Sequence, residues 1–168
     1  MAIAVNRNRI HPYVLKAERA LDEEKQTLWR LRTLPAERKA LVDSLLGKYM
    51  LQLGEDLGHW VSAKVSEDSA PAAPSPELME KATKIAIEDG AKFVLDCKEI
   101  CAIGIADAVR FLDHDGNPVI FVADGDRLSP EQINMIPDDA LPELALACMS
   151  VNRITEHDRG NSSSLSAS

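Results

Sequence analysis

Cys97 and Cys101 stand four residues apart in a run with helical periodicity, a spacing that can bring two thiolates onto one metal ion. No His and no third Cys lies near them, and Cys148 is the remaining thiol of the chain. Cysteine behaves as a small hydrophobe, so the pair reads as core and not as a metal site. Asp113, Asp115 and Asn117 alternate like the opening of a calcium loop. Gly116, however, is fourth counted from Asp113 where an EF-hand needs its glycine sixth, and the twelfth place holds no Glu. A turn is the better account. Asp124 and Asp126 would add two carboxylates if a hairpin folded them nearby, which leaves incidental divalent binding as a minor alternative.

His11, His59, His114 and His157 are scattered, each beside Pro, Trp or Asp. No Ser or Cys sits in a nucleophile elbow, and no glycine-rich loop lies between a strand and a helix to cradle phosphate. The chain is therefore read as non-enzymatic, with no cofactor and no metal. Trp29 and Trp60 are candidate interface anchors. In a chain with only 4% aromatic residues, core packing is the expected role of both.

The elements that would position these groups begin with a hairpin. Phe111-Leu112 and Val119-Ile120-Phe121-Val122 are strand-like, and Asp113-His114-Asp115-Gly116-Asn117-Pro118 between them supplies the turn. Ser129 then caps a short helix with Pro130 in its first position. Ile136 to Pro142 ends that turn and opens a second helix, on which Leu141, Leu144, Ala145, Cys148 and Val151 fall at helical spacing. Upstream, a long helical pattern starts at Pro76-Glu77 and carries Leu78, Ala82, Ile85, Phe93, Cys97, Ile100 and Cys101, with Gly90 placed to kink or split it. Ile87, Val94, Leu95 and Ile103 lie partly off that stripe, an excess of apolar surface that predicts burial on several sides or a face kept for a partner.

Nearer the N-terminus, Pro12 to Glu24 reads as a helix with Val14, Ala17 and Leu21 on one side. Leu28-Trp29-Arg30-Leu31-Arg32 alternates as a short strand, with Trp29 and Leu31 on one face. Pro35 opens a helix towards Leu53 whose stripe is Leu41, Val42, Leu45, Leu46, Tyr49, Met50 and Leu53, ended by Gly54 and Gly58 and followed by His59-Trp60-Val61. The expected organisation is an N-terminal helical lobe with a short strand (1–65), a Pro/Ala/Ser linker (66–76), a C-terminal helical lobe with the hairpin (77–158), and a disordered Ser-rich tail (159–168). The fold class is mainly α with a small β-hairpin, α+β, built on helical packing with no large sheet.

The chain has 168 residues, 45% of them hydrophobic, enough to bury a core made chiefly of Leu, Ile, Val and Ala. Its net charge of −8 is unevenly spread: Met1 to Leu34 holds seven basic and four acidic residues, Gly104 to Ser168 four basic and eleven acidic. An acidic half repels phosphate backbones, so nucleic acid is excluded as its partner. No apolar run reaches the ~18 residues needed for a membrane span. Three cysteines and an opening too quickly charged for a signal peptide predict reduced thiols in the cytoplasm.

The run Phe111-Leu-Asp-His-Asp-Gly-Asn-Pro-Val-Ile-Phe121, with Ile136-Pro137, Leu141-Pro-Glu-Leu144 and Asn152-Arg-Ile-Thr-Glu156, resembles the C-terminal half of small tail assembly chaperones of long-tailed bacteriophages and prophages. Thr27-Leu28-Trp29-Arg30-Leu31-Arg32-Thr33-Leu34-Pro35 is similar to the strand-like entry segment of the same family. The two patches span about a third of the chain, and Lys48 to Lys84 has no counterpart. The resemblance implies a protein of the host cytoplasm that holds the tape measure protein and recruits tail tube subunits during virion morphogenesis, with oligomerisation open. The partner groove is expected on Val94, Ile103, Leu141, Leu144, Met149 and Ile154. Two alternatives stand beside it: a structural virion component such as a head completion or tail terminator protein, and a metal-dependent enzyme using Asp113, Asp115, Asp124 and Asp126.

Overall fold

The computed structural model describes residues 9–47, 49 and 75–152. A four-stranded antiparallel sheet in the order β1-β2-β3-β4 forms one layer: β1 is Ile10–Tyr13, β2 Leu28–Arg32, β3 Ile105–Val109 and β4 Phe121–Val122. Helices make the other layer: α1 at residues 36–47, α2 at Pro76–Glu88, α3 at Ala91–Gly104, α4 at Pro130–Met135 and α5 at Leu141–Val151. The class is mixed α+β, and the β part is a small sheet, larger than the hairpin expected from the sequence.

The strand alternation sorts side chains onto two faces. Tyr13, Trp29, Ala108 and Phe121 are register neighbours on one face, and all four are buried. Pro12, Arg30, Asp107 and Val122 form the matching row on the other, where Arg30 and Asp107 pair across the strands at 2.5 Å. The inner face carries an aromatic cluster, with ring centroids 5.5 Å apart for Trp29 and Phe111, 5.6 Å for Trp29 and Phe121, and 4.9 Å for Phe111 and Phe121.

Against this face lies α5, apolar on nearly every side and buried from Leu141 to Ser150 apart from Pro142. A helix without a polar face needs neighbours all round. The sheet covers one side of α5 and α3 another, and the α3–α5 crossing is close enough to require a glycine. A Cβ on Gly104 would lie 2.6 Å from Cys148 Sγ and 2.8 Å from Cys148 Cβ. Buried polar groups tie the layers together. Asn152 accepts from Leu34 N at 2.6 Å and donates to Arg32 O at 3.0 Å and Cys148 O at 2.8 Å, joining the end of α5 to the end of β2. Glu143 Oε1 accepts from Tyr13 Oη and from Lys16 N, both at 2.7 Å.

Several local readings hold. Leu28–Arg32 is a strand with Trp29 and Leu31 inside. Gly90, at φ +54°, separates α2 from α3, a left-handed turn that glycine makes without a Cβ clash. Ser129 caps a helix that begins with Pro, its Oγ accepting from Gln132 N, and Ser75, expected in the linker, caps α2 in the same way, its Oγ accepting from Leu78 N. Helix α1 buries Val42 and Leu46, with Tyr49 buried beyond it, whereas Leu41 is exposed.

Other expectations are corrected. Pro12 to Glu24 is not a helix: Pro12 lies in edge strand β1, where its missing N–H is tolerated, and two 3-10 turns follow at Lys16–Glu18 and Glu23–Lys25. Tyr13 gains more from packing beside Trp29 and donating to Glu143 than a helix bearing the exposed Leu21 could return. The segment after α3 turns directly into β3, which pairs with β2. Residues assigned to 1–65 and to 77–158 meet in one sheet, where β2 pairs with β3, and in one core cluster. Residues 66–74, the tail 159–168, Met50, Leu53, Gly54, Gly58 and His59-Trp60-Val61 lie outside the described residues.

Candidate protein-binding surface

The groups with chemical potential are disposed for structure. Cys97, Cys101 and Cys148 are free and buried. Burial pushes the Cys97 and Cys148 thiols up to about 12, and it pushes Cys101 well above its usual range, so none is a thiolate at neutral pH. Asp113 faces its own turn: Oδ1 accepts from Asp115 N at 2.9 Å and Asn117 N at 2.8 Å, and Oδ2 accepts from Asn117 Nδ2 at 3.3 Å. Those donors hold its carboxyl below the usual range. The sequence predicted a turn here, and the structure makes it an Asx turn. Asp126 pairs with Arg38 on α1, and the backbone of Asp124 forms an isolated β-bridge with that of Arg127, whose guanidinium pairs with Glu99 instead. Among the described residues no group of three or more His, Cys, Asp or Glu is placed to hold a metal.

His11 is buried, with Nε2 3.2 Å from Thr33 Oγ1, and desolvation followed by the nearby Arg9 lowers its pKa. His114 is exposed beside Asp115, whereas His59, His157 and Trp60 lie outside the described residues. Trp29 is core.

Most of the residues on which a groove was expected are not at the surface. Ile103, Leu141, Leu144 and Met149 are buried in the core, Val94 is half-buried against it, and Ile154 lies outside the described residues. The cause is the sheet. Its inner face and α3 together cover α5, using up the apolar surface that a helical reading left over.

Large apolar side chains nevertheless stand in solvent elsewhere. Ile120 is 90% exposed, Val122 54% and Leu112 53%, all on the hairpin that leads into β4, and Leu95 on α3 and Ile87 on α2 are exposed as well. The hairpin is held firmly. Asp113 N donates to Asn117 O and Val119 N to Phe111 O, both at 2.9 Å. Arg110, in a left-handed conformation at φ +60°, ties its base to the N-terminal half by donating from Nε to Gln26 O at 2.8 Å.

Beside the turn, Phe111 to His114 and Asn134 to Asp138 line an open cleft of about 430 Å³ with Leu112, Met135, Ile136 and Pro137 among its walls. The adjoining free edge of β4 is partly closed by Gln132, whose Nε2 donates to Val122 O at 2.7 Å while its Oε1 accepts from Ser129 N. Gln132 was legible as part of a capping box, since Ser129 and Gln132 follow the Ser-x-x-Gln pattern. Its second bond, to the sheet edge, had no sequence signal.

Comparison with protein-family models, with curated proteins and with solved structures returns no match to this chain. Among the described residues no helix is long and apolar enough to cross a membrane.

Proposed function

We propose that this chain is a non-enzymatic protein-binding protein of the host cytoplasm, a phage tail assembly chaperone that holds the tape measure protein and recruits tail tube subunits during tail morphogenesis. The observation that carries the binding role is apolar surface outside a closed core: Ile120, Val122 and Leu112 extend from a rigid hairpin although α5 and the inner sheet face are already covered. The narrower assignment is supported by the resemblance of Phe111 to Phe121, with its neighbouring segments, to that family.

The magnitudes suit a releasable holder. Burying one Leu or Ile contributes about 1.5–3 kcal/mol, and association costs at least about 4 kcal/mol in lost freedom. A few such contacts give a complex that forms and lets go. The acidic C-terminal half, four basic against eleven acidic residues, steers a basic client and repels nucleic acid.

Co-expression of the full chain with a long helical tape measure fragment from the same genome tests the reading. The client should stay soluble and co-purify with the chain, and mass spectrometry of finished particles should find the chain missing. No association with the client ends the proposal, and a stoichiometric presence in particles converts it to a structural virion component.

A further inference from the structure

The cleft between the hairpin turn and the α4–α5 connection combines an apolar floor with an acidic rim. Leu112 at 53% and Met135 at 36% exposure supply the floor together with Ile136 and Pro137. Asp113 and Asp138 stand on opposite walls, and the exposed Asp115 and Asp139 follow them in sequence on the same two segments. Lys98 approaches, donating to Asn134 Oδ1 at 3.0 Å, and the His114 ring lies 3.3 Å from Asp115, so carboxylates outnumber the lysine at the rim.

Both walls are preorganised. One is the Asx turn closed by Asp113, and the other is pinned by Pro137, whose carbonyl accepts from Ala140 N at 3.0 Å and Leu141 N at 3.2 Å. Rigid walls reduce the ordering cost of binding. The cleft is open, and its lining carries no ring of converging buried polar atoms of the kind that fixes a small molecule, so an extended or helical peptide suits it better. We propose that this cleft is the docking site for a cationic, apolar segment of another polypeptide, its Leu- or Ile-like side chains lying on Leu112 and Met135 and its Lys or Arg paired with the carboxylates of the two walls. This deepens the client-binding role proposed above and depends on it only for the natural occupant.

The test uses the full chain and a fluorescently labelled synthetic amphipathic Leu/Lys peptide, with the same peptide carrying Glu at every Lys as its counterpart. Saturable binding of the Lys peptide alone is expected, weakened as salt is raised. Asp138→Lys and Leu112→Asp, both at exposed positions, should each weaken it by about tenfold or more, because each replaces attraction by repulsion or apolar contact by a buried charge. Glu80→Lys on α2, outside the cleft, should leave it within about twofold, since isolated surface charges act weakly. Amide shifts on wild-type protein should move at Leu112 to His114 and Asn134 to Asp138.

Equal binding by the cleft variants, an equal loss with Glu80→Lys, or shifts centred on the outer sheet face instead would overturn the proposal. Self-association of the chain through this cleft would overturn it too. Should the peptide bind here while the tape measure fragment does not associate, the cleft stands and the chaperone reading fails. If the fragment associates while the Lys peptide binds wild type and the cleft variants equally, the chaperone reading stands and the cleft fails.

Discussion

Helix α5 and the hairpin leading into β4 are both rich in large aliphatic side chains, yet Leu144 on α5 is 0% exposed and Ile120 on the hairpin is 90% exposed. The difference lies in neighbours. Helix α5 has the inner sheet face on one side and α3 on another, with a glycine at the crossing to let the backbones approach. The hairpin offers its core side, Phe111 and Phe121, to Trp29, and no described residue covers Ile120 on the opposite side. Apolar content is thus a statement about need for cover, and only the count of surrounding elements decides whether the fold itself supplies it.

Truncation should separate the two regions most strongly. Leu144→Ala is expected to cost about 2–5 kcal/mol by leaving a cavity in a closed core, whereas Ile120→Ala should fall within about 0.5 kcal/mol of wild type. Urea unfolding of the two variants checks this, and similar losses would mean that the hairpin is as enclosed as the helix. Gly104→Ala comes next. With Cys148 Sγ 2.6 Å from the added Cβ, α3 and α5 must separate, at an expected cost of about 1–3 kcal/mol. An unchanged midpoint would show that the crossing is slack.

Asn152→Ala removes the acceptor for Leu34 N and the donor for Arg32 O and Cys148 O. Leaving buried groups unpaired costs about 1–3 kcal/mol, and amide exchange should accelerate at Leu34 first. The smallest effect is one of pH. The pKa of His11 is lowered in the folded state, so the unfolded chain takes up this proton more readily. Stability is therefore full above the unfolded value of about 6.5 and declines as pH falls below it, until the folded-state pKa is passed. His11→Gln should flatten that decline in unfolding midpoints measured across the acid range; an unaltered slope would assign it to other groups.

Much of the local structure was legible before any packing was known. The alternation of Trp29 and Leu31, the Ser129-Pro130 helix start, the Asp113 to Asn117 turn and the break at Gly90 each follow from the conformational limits of a few adjacent residues, and each is present. Strand β1 was not legible. Its four residues include a proline, and the helical spacing of Val14, Ala17 and Leu21 outweighed them. Strand β3 was hidden because Ile103 and Ile105 continue the apolar run of α3 with a lone glycine, Gly104, between them and no longer turn sequence.

The burial of residues expected at a partner surface has the same origin. Ile103, Leu141, Leu144 and Met149 were surplus to a helix pair, and they cease to be surplus once β2, from the other side of the chain, pairs with β3 and lays Trp29 and Leu31 beside α5. Composition and short-range pattern are properties of neighbouring residues, so the acidic C-terminal half, the small-hydrophobe role of the cysteines and several individual turns and caps could be derived from them. Which apolar residues remain outside could not. That outcome depends on strand pairing between distant segments, whose energy comes from surfaces that meet only when the whole chain has closed around them.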